Sequence, residues 1–160
     1  MTFKRRSLQE EIKQTRPFGT AAEEGAIALL RTADMVRRFL AKVIEPHGIT
    51  LQQYNVLRIL RGAGEAGIPT LEIVDRMIEE TPGITRLLDR LEAKLYVRRM
   101  RCLQDRRQVL CWITPEGIEL LKRLDAPVRE ADESALGELA DRDLRQLITL
   151  LESIRSAHSS

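Results

Sequence analysis

Cysteine is scarce in this chain: Cys102 and Cys111 are its only two in 160 residues. Two thiols cannot build the disulfide framework of a small secreted domain. Histidine is equally scarce. His47 and His158 stand far apart, without Cys or carboxylate clusters at metal-ligand spacing. There is no glycine-rich phosphate loop and no serine nucleophile elbow. No cofactor, no metal and no enzymatic activity are therefore expected. No apolar run is long enough to span a bilayer, and no secretory apolar segment is present, so a cytoplasmic protein without a membrane partner is expected. Aromatics make up only 4% of the chain, so composition supplies no pocket chemistry.

What is present suits one helix-rich domain: 43% hydrophobic and 31% charged residues on a length that can bury its own core. The formal net charge of +2 conceals an uneven distribution. Between Thr81 and Arg107, eight basic residues (Arg86, Arg90, Lys94, Arg98, Arg99, Arg101, Arg106, Arg107) face three acidic ones (Asp89, Glu92, Asp105), a local +5. The first sixteen residues carry +3, which leaves −6 for the rest. A basic cluster inside a near-neutral chain is a signal for a nucleic-acid partner.

That cluster lies in the stretch around which the chain is organised, residues 69–114. Thr70 stands where an N-cap would, ahead of Leu71, Ile73, Val74, Met77 and Ile78. Thr81-Pro82-Gly83 restarts the chain, with Thr81 as a cap and Pro82 at the first helical position. Ile84, Leu87, Leu88 and Leu91 then recur at i, i+3, i+4, i+7, one apolar face of a helix. The opposite face carries Thr85, Arg86, Asp89 and Arg90. Two β-prone runs, 96–103 and 108–114, flank the polar turn Gln104-Asp105-Arg106-Arg107. The spacing predicts helix, turn, helix, hairpin: a winged helix-turn-helix, whose second helix enters a major groove while the hairpin reaches the neighbouring minor groove.

These residues carry a family resemblance. Ile49-Thr50-Leu51-Gln52-Gln53-Tyr54-Asn55-Val56-Leu57, Ile84-Thr85-Arg86-Leu87-Leu88-Asp89-Arg90-Leu91-Glu92, and Asp105-Arg106-Arg107 followed by Ile113-Thr114-Pro115-Glu116-Gly117 resemble the DNA-binding core of the MarR family of bacterial repressors. The resemblance covers about residues 20–157, and the wing signature is its most specific part. One position departs: the family usually has glycine after the recognition helix, and this chain has Leu95, which is strained if φ there is positive. The resemblance implies a homodimer on an inverted repeat of double-stranded DNA, and release by a small aromatic or anionic effector.

The flanks are helical. Ser7-x-x-Glu10 and Thr20-x-x-Glu23 read as capping boxes, the first opening a helix to about Thr15 before Pro17, the second a helix to about Glu45. Thr50-x-x-Gln53 opens the next, with Tyr54, Val56, Leu57, Ile59 and Leu60 inward. Gly67-Ile68-Pro69 is placed to pair with the wing. Thr114-Pro115 starts a helix that Pro127 should kink or interrupt, and Asp141 reads as the N-cap of the last one. The fold class expected is mainly α with a small β-hairpin wing. Residues 1–48 and 115–160 supply dimerisation helices around a DNA-binding lobe at 49–114, in one continuous domain. The apolar faces of the flanking helices need a cover, and a second copy is the economical one.

Base reading is assigned to Arg86 with Thr85 and Gly83, since arginine can bond guanine through two donors. Thr70 and Thr81 are candidates for phosphate, as is Arg90, unless Asp89 and Glu92 neutralise it. Arg106 is the candidate for minor-groove insertion. The resemblance has Asp105 and Arg107 shape the turn, with Asp105 paired to an arginine. Met35, His47 and Tyr54 are candidate effector contacts. Cys102 and Cys111, on opposite wing strands at similar distance from the tip, suggest an intrachain redox switch as a competing function. A winged-helix module turned to a protein partner is the other.

Overall fold

The computed structural model describes residues 6–103, 105 and 107–158. The order is α1 (Leu8–Glu11), α2 (Ala21–Ile44), α3 (Leu51–Ala63), β1 (Ile68–Pro69), α4 (Thr70–Arg76), α5 (Ile84–Ala93), β2 (Val97–Arg101), β3 (Val109–Ile113), α6 (Pro115–Leu136) and α7 (Asp141–Ser156). The three strands form one antiparallel sheet in the order β1-β3-β2. The expected fold class, mainly helical with a small winged hairpin, is what the chain adopts. Two compact units divide it, residues 1–38 and 39–160.

In the first unit, Ser7 caps α1 with a reciprocal box: Glu10 N donates to Ser7 Oγ and Ser7 N to the Glu10 carboxylate. The helix stops at Glu11, short of the expected Thr15, because Lys13 turns to φ 55°. Arg31 Nε bonds Glu11 at 2.9 Å and ties α1 to α2. Thr20 caps α2 by accepting from Glu23 N, but Glu23 reaches back to Gly19 N, one residue further than a capping box requires.

The core of the second unit gathers Ile44, Leu57, Leu60, Ile73, Leu88, Leu91, Leu120, Leu121 and Leu124, all fully buried. Burying one such side chain contributes about 1.5–3 kcal/mol. The Thr50–Gln53 box is complete, and it orients α3 so that Tyr54, Val56, Leu57 and Leu60 face inward. On α5 the 3.6-residue period holds, with Leu87, Leu88 and Leu91 buried. α6 runs unbroken through Pro127. Leu124 and Val128, on either side of it, are both buried, and that packing holds the helix across the missing hydrogen bond. Asp141 is the first residue of α7 and not its cap; Ala140 holds that position with no side-chain bond. No residue of α7 is buried, and Ile148, Leu150 and Ile154 are each about half exposed.

The short strand at Ile68–Pro69 pairs with β3, opposite Cys111 and Leu110, as expected of Gly67-Ile68-Pro69. The turn from α5 into β2 passes through Leu95, whose φ is 62°. Thr114 closes this corner. Its N–H donates to Tyr96 O at 3.0 Å, its hydroxyl donates to Leu95 O at 2.6 Å, and the same oxygen accepts from Gly117 N to cap α6. A Cβ on Gly117 would lie 2.5 Å from Tyr96 O, so the close approach of α6 to the corner requires glycine.

Candidate nucleic-acid interface

The interface is built where the N-terminus of α5 meets that of α3. Gly83, at φ 93° and ψ 33°, is the N-cap of α5. No side chain caps this helix. Its first intrahelical bond runs from Leu87 N to Gly83 O, so the N–H groups of Ile84, Thr85 and Arg86 have no partner within the helix. Open N–H groups and the positive end of the helix dipole suit a phosphate or a base edge. Thr85, Arg86 and Arg90 are exposed beside them, and an open groove of about 360 Å³ runs between them and Thr50, Gln52 and Gln53 of α3. Gln52 was not singled out by the sequence, where the Thr50–Gln53 box accounted for that turn.

Two threonines differ from their sequence assignments. Thr81 is not the cap and Pro82 is not the first helical residue; both precede Gly83, the actual cap. Thr81 is buried and its hydroxyl donates to Glu79 O at 2.9 Å. Thr70 is the first residue of α4, behind Pro69 as N-cap. Its hydroxyl turns inward to Val109 O at 3.3 Å and Cys111 Sγ at 3.6 Å. Each hydroxyl is thus bonded to a backbone carbonyl within the lobe. Of the apolar residues that follow Thr70, Ile73 is buried and Leu71 and Ile78 are exposed; α4 ends at Arg76 and Met77 is extended, so Ile78 lies beyond the helix.

The basic cluster separates into two groups. Arg99 donates to Glu92 through Nε at 3.0 Å and Nη2 at 2.6 Å, and to Asp89 through Nη2 at 2.6 Å. The hydrogen bonds that Arg99 donates to Glu92 are the main cause that raises its pKa further. Lys94 Nζ bonds Gly48 O. Arg98 lies over the Trp112 ring, 4.7 Å from its centre, while Trp112 Nε1 donates to Glu65 O at 3.0 Å. These three cations hold the fold. Asp89 and Glu92 therefore serve Arg99 and leave Arg90 unneutralised; among the described residues neither Arg86 nor Arg90 forms an ion pair. At the wing, Asp105 Oδ1 accepts from Arg107 N at 3.0 Å and Arg107 Nε at 3.4 Å, the pairing the resemblance implied. Arg106 lies outside the described residues.

The two cysteines do not come together. Cys102 N bonds Gln108 O, whereas Cys111 sits opposite Arg99. The thiols are three strand positions out of register, roughly 10 Å apart along the ladder at about 3.3 Å per residue, beyond disulfide reach. Burial raises the Cys111 pKa and outweighs its contact with Thr70, which disfavours a reactive thiolate. Met35 lines a groove of the first unit with Leu8 and Arg31. Tyr54 lines one of the second with Arg58 and Asp125, its own pKa raised first by burial. His47 is exposed in the turn after α2. No three of the described His, Cys, Asp and Glu side chains gather as a metal site, and no described helix is long and apolar enough to cross a membrane.

The comparisons with known proteins agree with this geometry. The model of the MarR family matches residues 49–109. The chain is 28% identical over 129 residues to the homoprotocatechuate degradative operon repressor of Escherichia coli, covering 79% of this chain and 84% of that one. It is 39% identical to a MarR transcription factor of known structure from Planctomyces limnophilus, with a TM-score of 0.67 and coverage of 85% of this chain and 98% of that one. It is 26% identical to a mutant MarR from Escherichia coli, solved in complex with operator DNA, at a TM-score of 0.73 over 79% and 90% of the two chains.

Proposed function

We propose, from the premise that this chain belongs to the MarR family and is a DNA-binding transcriptional regulator, that it is a ligand-responsive repressor acting as a homodimer on an inverted repeat. The observation that carries the site is the N-terminus of α5, which no side chain caps, with Arg86 and Arg90 exposed beside it and in no ion pair among the described residues. In this reading Arg86 reads a guanine, and Thr85 and Gly83 approach the bases. Arg90 and the open N–H groups hold phosphate, and the wing's Arg106 enters the adjacent minor groove while Asp105 and Arg107 fix its turn. Thr70 and Thr81 hold the lobe together and contact no phosphate through their hydroxyls.

Residues 49–114 form the DNA-binding lobe, and residues 1–48 and 115–160 supply the dimerisation helices. The half-exposed apolar residues of α7 support that division. Two-fold symmetry places two α5 helices on half-sites about 10 bp apart. A small aromatic or anionic molecule lowers operator affinity by binding better to a dimer whose lobe spacing mismatches the site. The protein works in the cytoplasm and catalyses no reaction.

Selection from a random duplex pool, followed by sequencing, tests the reading. An enriched palindrome bound two chains per site is the expected result. Recovery of DNA without any enriched sequence contradicts it.

A further inference from the structure

We propose that Arg99 is a positioning residue for DNA recognition: it clamps wing strand β2 onto recognition helix α5 through Glu92 and Asp89, and so sets where the wing meets the duplex. The inference rests on the DNA-binding reading above but assigns Arg99 no contact with DNA.

Both the backbone and the side chain of Arg99 reach back to α5. Its N–H donates to Glu92 Oε1 at 3.1 Å. Its guanidinium forks over Glu92 Oε2, at 3.0 Å and 2.6 Å, and Asp89 Oδ1 at 2.6 Å. The side chain is only 20% exposed, although it belongs to the most basic stretch of the chain. In the sheet it stands opposite Cys111, which is fully buried. A guanidinium held by two carboxylates in this way is not offered to phosphate.

The covalent link between the two elements is short but jointed. Only residues 94–96 separate α5 from β2, and Leu95 there sits in left-handed backbone. From Val97, where the joint ends, to Leu103 beside the wing tip the chain spans roughly 20 Å at about 3.3 Å per residue. A tilt of about 10° at the joint moves the tip by about 3 Å on that lever, enough to break a hydrogen bond to a phosphate. The fork from Arg99 to two residues one turn apart on α5 opposes that tilt, with the strong, directional bonds of an ionised pair.

Electrostatics and positioning make opposite predictions for Glu92→Gln. Removing a carboxylate next to the DNA should tighten binding if charge alone matters. Positioning predicts about tenfold weaker operator binding at fixed salt, with loss of hydroxyl-radical protection where the wing lies and retained protection under α5. Arg99→Lys is the second variant. It keeps the charge but loses the planar fork, and the same loss is expected. Amide exchange of β2 in the DNA-free protein should quicken in both, a readout that does not depend on DNA binding. Trp112, the only tryptophan in the chain, sits at the wing base and reports by its fluorescence that the fold persists. Unchanged or tighter binding, or a wing footprint like that of the wild type in a less stable variant, overturns the proposal. A wild type without sequence preference would instead defeat the DNA-binding reading, and the exchange rates would still test the clamp.

Discussion

The hydroxyl of Thr114 donates to the carbonyl of Leu95 at 2.6 Å, so the residue that caps α6 also holds the one strained turn between the recognition helix and the wing. Leu95 occupies left-handed backbone at φ 62° with its side chain 69% exposed. The conformation costs a non-glycine residue about 1–2 kcal/mol. Glycine removes that strain at an unfolded-state cost of roughly 0.4–1 kcal/mol. Leu95→Gly should therefore stabilise the protein by about 0.5–1 kcal/mol in thermal melts. A lower melting temperature would show that the leucine side chain is used.

Thr114→Val removes both bonds of that hydroxyl while keeping the shape of the side chain. The loss of an N-cap and of one further hydrogen bond predicts about 1–3 kcal/mol of destabilisation in denaturant titration.

Gly67 tests the wing base. Its backbone, at φ 67° and ψ 173°, is a glycine conformation, and a Cβ there would lie 2.4 Å from the indole of Trp112. Gly67→Ala should cost about 2–4 kcal/mol from strain and overpacking together. Tryptophan fluorescence should change in the same variant, because the indole must move.

On the recognition helix, Arg86→Ala and Arg90→Ala should separate. The first should lose about 1–3 kcal/mol of discrimination between operator and single-base variants. The second should weaken binding to all sequences alike and reduce the salt slope by about one. Competition binding against operator variants at several salt concentrations distinguishes the two.

Cys111 gives a pH prediction. Burial raises its folded-state pKa above the ordinary thiol value, so the folded chain holds that proton more tightly than the unfolded chain. Its contribution to stability is complete below the unfolded thiol pKa of about 8.5 and is lost as pH rises towards the folded value. Stability should fall above roughly pH 8.5 in the wild type and fall less steeply in Cys111→Ala, as urea midpoints across pH would show. Peroxide should form no bridge between Cys102 and Cys111, and mass spectrometry of the unreduced chain checks this.

Much of the architecture was legible because it rests on period and local chemistry. The i, i+3, i+4, i+7 pattern of Ile84 to Leu91 fixed the inner face of α5, and the Thr50–Gln53 pair fixed the start of α3. What escaped depended on partners in space. Thr70 and Thr81 carry the right side chains for capping, but Gly83 takes the cap of α5 and both hydroxyls turn to backbone carbonyls. The two cysteines look level on paper, yet the hairpin closes with Cys102 N on Gln108 O, which shifts Cys111 three positions away. Arg98 and Arg99 count towards the basic cluster of residues 81–107 that signals a nucleic-acid partner. In the folded chain Arg98 stacks on Trp112 and Arg99 is held by Glu92, and no sequence period connects either pair.

The most direct test is fluorescence anisotropy of a labelled inverted-repeat duplex, taken from the selected pool, against its scrambled counterpart across a range of salt. A sequence-specific dimeric regulator should show two chains per duplex, at least about a thousandfold preference for the repeat, and log affinity falling linearly with log salt. Equal affinity for both duplexes would contradict it, whatever the salt dependence.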